Sequence, residues 1–146
     1  MTTRLAVRTL AAMATALLAS NATAAELNLT DGMWEVNGHM KMEGLPIPMP
    51  SVPVSFTQCL TKKDAIPQQK EGNKDCKITS QRIEGSTVTW AALCVDKNGA
   101  KTEGTGTVTY KGASFEGKVN NVTTDPRGAR MTSRMEMAGK RTGDCK

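Results

Sequence analysis

From residue 32 to the C-terminus, apolar and polar side chains alternate with a period of two. Turn-forming residues interrupt the alternation every ten to fifteen positions. This pattern specifies half-buried strands joined by short links. Seven strands are predicted. They are about 32–42, VSFTQCL (54–60), CKITSQRI (76–83), STVTWAALCV (86–95), KTEGTGTVTY (101–110), ASFEGKVNNV (113–122) and RMTSRMEMA (130–138). The links near Gly85, at Asn98-Gly99, at Lys111-Gly112 and at TDPRG are short, and Asn-Gly is the strongest hairpin signal. Short links make neighbouring strands antiparallel, so the sheet reads as a meander. One apolar face per strand must be covered. The sheet is therefore expected to curl into a barrel or half-barrel, or to fold as a two-layer β-sandwich. Glycines inside strands (Gly38, Gly104, Gly106, Gly117) favour the curled sheet.

Two segments break the pattern. EGLPIPMPSVP (43–53) carries four prolines, which cannot donate to a ladder, and reads as an extended connector or edge strand. In TKKDAIPQQKEGNKD (61–75), Thr61 with Asp64 three residues on resembles a capping box, which predicts one short helical turn ending near Pro67.

The first 25 residues read as a secretory signal peptide. Arg4 and Arg8 form a basic start, TLAAMATALLA is an apolar run too short to span a bilayer, and small residues precede a cut near Ala24/Ala25. The expectation is an exported, periplasmic chain with one domain over 26–146 and no transmembrane segment after cleavage. Removing the two arginines lowers the net charge from +5 to +3, a mild and scattered surplus. Aromatics make up 3% of the chain, too few for the stacking platforms of single-stranded nucleic-acid binders, so no nucleic-acid partner is expected.

All four cysteines lie beyond residue 25, and an even count behind a leader reads as a disulfide framework. In a hairpin centred near Gly85, positions summing to about 170 oppose each other. This pairs Cys76 with Cys94, Ile78 with Ala92 and Ser80 with Trp90 on one face. Cys59 and Cys145 then remain for each other.

GMWEV near the start of the domain, QCLTKKD, DCKI, TWAALC and a terminal GDCK together resemble the DUF3617 family of small exported bacterial proteins of unknown function. The resemblance covers about 30–146. It implies a periplasmic, β-rich single domain and brings no catalytic residues with it.

No catalytic constellation is visible, and a non-enzyme is expected. His39 is the only histidine and sits mid-strand without a nucleophile signature. Glu35, Glu43, Glu116 and Glu136 have no spacing that forces a pair together. Neither a cofactor motif nor a zinc ligand set appears. Period two sends Trp34, Val36, Met40 and Met42 to one face of the first strand, and His39, Glu35 and Lys41 to the other. Met131, Met135 and Met137 share one face of the last strand. With Trp90, these residues are the expected interior. Three readings follow: methionine as core filler in a structural module, methionine as the lining for a small apolar ligand, or a copper(I) site. For the methionines themselves core filler is the first reading. For the domain as a whole, binding of a small apolar ligand or of an envelope partner is favoured, with a filled-core structural module as the alternative. Copper is disfavoured because Met-x-Met sets its Cα atoms about 7 Å apart and His39 points the other way.

Overall fold

A computed structural model describes residues 26–68 and 74–146. The signal-peptide segment lies outside the described residues. Seven strands form one antiparallel sheet: β1 (Gly32–Glu43), β2 (Val52–Leu60), β3 (Lys74–Glu84), β4 (Thr87–Asp96), β5 (Lys101–Tyr110), β6 (Ser114–Thr124) and β7 (Arg130–Gly143). Their order is β2-β1-β7-β6-β5-β4-β3. The meander from β3 to β7 is continued by β1, which pairs with β7, so first and last strands meet. β2 and β3 remain as unpaired edges, and the barrel stays open.

The curl is measurable. Trp34 on β1 and Tyr110 on β5 are three strand spacings apart, about 14 Å in a flat sheet. Their ring centroids lie 5.9 Å apart, and Phe115 on β6 sits 5.5 Å from Trp34. Glycine permits this bending where a ring lies flat on the strand. A Cβ on Gly139 would sit 2.1 Å from Phe115 Cε1, and one on Gly106 would sit 2.1 Å from Trp90 Cζ2.

Two expectations are corrected. No helix occurs among the described residues. Thr61 Oγ1 does accept from the Asp64 amide at 3.2 Å, as a cap would. However, Thr61 and Asp64 also exchange both backbone bonds, at 3.0 and 3.2 Å, closing a tight turn. The chain then extends, because adjacent Ala65 and Ile66 are both buried in the core. Second, Ser80 does not face Trp90. The β3–β4 register holds at Cys76↔Cys94 and Ile78↔Ala92, then slips by a bulge, so Gln81 faces Trp90 and Ile83 faces Val88. The slip puts Ile83 on the same face as Ile78, although five positions separate them.

Candidate functional site

The inward face is a stack of cross-strand tiers. At the end where β1 begins, Phe56, Val36, Gly139, Phe115 and Tyr110 form one tier. The next holds Val54, Gly38, Met137, Gly117, Val108 and Val88. This end is filled. Trp34, Val36, Leu60, Val88, Val108, Tyr110 and Phe115 are fully buried, and Leu27, Leu29, Ala65 and Ile66 close it from below. Leu29 bridges to Gly112, whose amide donates to Asn28 O at 2.8 Å. Tyr110 Oη donates to Ala65 O at 2.6 Å. Burial pushes the Tyr110 phenol's pKa upward, and the nearby Asp64 carboxylate adds to the shift.

Towards the other end the tiers change character. Met40, Met135, Val119, Gly106 and Trp90 form the third. Met42, Ser133, Asn121, Gly104 and Ala92 form the fourth. Met131, Thr123, Thr102 and the bonded pair Cys94 and Cys76 form the last. Most of these residues are only half-buried. Between them lies a cavity of about 180 Å³ to which all seven strands contribute. Its apolar wall is Met40, Phe56, Trp90, Ala92, Val119 and Met135. Its polar wall includes Thr102, Asn121, Ser133 and Lys74. Pro67 and Gln68 cover it from the β2–β3 connector. That connector is held by Gln58, which donates to Ile66 O at 3.4 Å and accepts from the Gln68 amide at 2.9 Å.

The interior candidates thus divide. Trp34, Val36 and Met137 are buried in the filled end. Met40, Met135 and Trp90 line the cavity. Met42 and Met131 share the concave face, in tiers nearer the rim and outside the cavity wall. Met40 and Met135 are direct cross-strand partners, whereas Met42 faces Ser133. His39 is exposed on the convex face opposite Glu136. It does not join the methionines. The remaining carboxylates do not pair with one another. Glu43 meets Arg134 at 3.0 Å, Glu116 meets Lys111 at 3.2 Å and Glu136 meets Lys118 at 3.6 Å. Glu35 accepts from Asn37 Nδ2 at 2.8 Å. Sequence reasoning missed Phe56, Val119, Asn121, Ser133 and Thr102 as cavity wall. Their period-two positions were available as the signal.

The cysteines are bonded as Cys59–Cys145 and Cys76–Cys94. The first ties the end of β2 to the C-terminal tail at the filled end. The second spans the β3–β4 edge hairpin beside the cavity.

These features define a class: a disulfide-stapled, open β half-barrel with one filled end and one hollow end. A family described as "Protein of unknown function (DUF3617)" matches residues 29–145, and the chain belongs to that family. No curated protein and no solved structure matches it.

Proposed function

We propose that this protein is an exported, non-enzymatic binding module of the cell envelope that takes a small apolar ligand into the hollow end of its sheet. The leader-like N-terminus and the two disulfides support an oxidising, extracytoplasmic setting. The observation that carries the binding reading is the cavity of about 180 Å³ with an aromatic and thioether wall on one side and hydroxyl and amide groups on the other. Its volume is close to the roughly 150 Å³ of an engineered apolar cavity that binds benzene. It is smaller than the roughly 300–1,000 Å³ sites of drug-sized ligands. The ligand class is therefore a small aromatic or the end of an alkyl chain. Methionine suits this role because its unbranched thioether adapts to irregular shapes.

The two tryptophans give a test. Trp90 touches the cavity and Trp34 does not. In a Trp34→Phe variant, a bromine-bearing alkyl chain is expected to quench the remaining fluorescence saturably. In a Trp90→Phe variant the same probe is expected to leave Trp34 unquenched. Native mass spectrometry of protein recovered from a bacterial periplasm is expected to show a small co-purified mass. Absence of both the quench and the added mass would sink the ligand reading and leave a structural module with a packed core.

A further inference from the structure

The links at the hollow end combine an apolar segment with basic turns. The strand order brings three of them onto one rim: residues 44–51 between β1 and β2, the β6–β7 turn and the β4–β5 turn.

The first link is apolar. No charged residue occurs from Gly44 to Thr61. Ile47 is 74% exposed and Met49 48% exposed, more than any other large hydrophobic among the described residues. Three prolines (Pro46, Pro48, Pro50) remove backbone donors from this link. Fewer N–H groups then need a partner if the link leaves water, which lowers the cost of entering an apolar interface.

The two turns are cationic copies of each other, DKNGAK (96–101) and DPRGAR (125–130). Asp96 Oδ1 accepts from the amides of Asn98 and Ala100 at 2.8 and 2.9 Å. Asp125 Oδ1 accepts from Arg127 and Ala129 at 2.8 and 2.9 Å. Both carboxylates are thus turned towards their own backbone. Lys97, Lys101 and Arg130 form no ion pair among the described residues. The three links are neighbours. A Cβ on Gly44 would lie 2.9 Å from Arg130 O, and one on Gly99 would lie 3.8 Å from Pro126 Cγ.

We infer that this rim docks on an anionic lipid bilayer, with Ile47 and Met49 entering the interface and Lys97, Lys101 and Arg130 meeting headgroup phosphates. Apolar insertion combined with basic residues is how peripheral domains hold a membrane surface. Charge complementarity selects this occupant over a second copy, which would bring one cationic rim against another. Docking would place the hollow end against the acyl layer, but it does not depend on the cavity being filled.

The test uses the mature chain and vesicles. Co-sedimentation with phosphatidylglycerol/phosphatidylethanolamine vesicles is expected to exceed that with phosphatidylcholine vesicles by about tenfold or more, and to weaken in high salt. Ile47→Ser with Met49→Ser, and separately Lys97→Gln with Lys101→Gln and Arg130→Gln, are each expected to reduce binding by about fivefold or more. All five positions are at the surface, and the variants are expected to melt within a few degrees of the parent, which thermal melts check. Absence of binding by the parent to anionic vesicles overturns the inference, as does binding that survives both sets of substitutions. Ala92→Phe in the Trp34→Phe background, which adds bulk to the cavity wall without a new tryptophan, is expected to abolish alkyl-probe quenching while leaving vesicle binding intact. Failure of ligand binding and failure of docking are thereby told apart.

Discussion

The filled and hollow ends of the half-barrel use the same seven strands and differ in how inward residues meet. At the filled end, Gly139 is covered by the Phe115 ring and Gly117 by the Met137 side chain, and three aromatic rings contact one another. Sharp curvature there shortens the distance across the sheet until side chains from non-adjacent strands touch. At the hollow end methionine, serine, threonine and asparagine stand among Trp90, Val119 and Ala92, and a cavity of about 180 Å³ remains between them. β2 and β3 also leave an open seam, spanned by a connector rather than by a ladder. Stability is therefore expected to reside at the filled end, and adaptability at the hollow one.

Removing each disulfide in turn is the strongest test of that division. Cys59–Cys145 closes a separation of 86 residues, and Cys76–Cys94 one of 18. Loop-closure entropy alone assigns them about 4.5 and about 3 kcal/mol. Urea unfolding of the Cys59→Ala/Cys145→Ala variant is expected to show the larger loss, because that bridge anchors the tail beside the packed core. Equal losses would mean that the edge hairpin matters as much as the core end.

A matched pair of glycines sharpens the comparison. A methyl at Gly139 or at Gly106 would collide with a ring at the same 2.1 Å distance. Phe115 is 1% exposed and enclosed, whereas Trp90 borders the cavity. Gly139→Ala is thus expected to cost about 3 kcal/mol and Gly106→Ala about 1 kcal/mol, because only Trp90 has room to tilt. The Gly106→Ala variant is also expected to lose alkyl-probe quenching as its ring moves into the cavity.

Tyr110 tests how the filled end is sealed. Its hydroxyl is the partner of the Ala65 carbonyl. Tyr110→Phe is expected to lower stability by about 1–2 kcal/mol, since a buried acceptor is left without its donor. The effect depends on pH. Burial, with Asp64 adding to it, raises the phenol's pKa above its ordinary value of 10.0. The folded state then holds the proton more tightly than the unfolded chain. The associated stability is complete below about pH 10 and is lost as pH rises further. Melts of the parent are expected to fall faster above about pH 10 than those of Tyr110→Phe.

Much of this fold is legible in the sequence, because a strand facing a core on one side only must alternate. Period two alone placed Trp34, Val36 and Met40 inward and His39 outward. Register arithmetic located Cys76 opposite Cys94 because the hairpin is local. It failed four residues later, at Ser80, since a bulge has no strong residue signature. The Thr61–Asp64 signal was local and real as a hydrogen bond. It led to the wrong element because burial of two consecutive residues, Ala65 and Ile66, is decided by tertiary contacts. The cavity itself was not legible. It depends on which non-adjacent strands a curl brings together, and alternation is silent on curvature.

The smallest effects are expected at the rim, where two turns make the same bonds from different strands. Asp96→Ala and Asp125→Ala each remove one acceptor from two backbone amides. Each is expected to lower the melting temperature slightly and by similar amounts, leaving Trp34 fluorescence in the folded state unchanged. Backbone hydrogen bonds, chiefly from the Ala129 amide, hold the Asp125 carboxyl below its ordinary value of 3.8. The folded state therefore binds that proton less tightly than the unfolded chain. The stabilisation is present above about pH 4 and fades as acid titrates the folded carboxyl. The gap between parent and Asp125→Ala melts should shrink in the same range. Asp125→Asn keeps the accepting oxygen, so it is expected to retain most of the neutral-pH stability and to lose that acid dependence. A large, pH-independent loss on Asp125→Ala would show that the rim turns support the core, and the two ends would then not be separable.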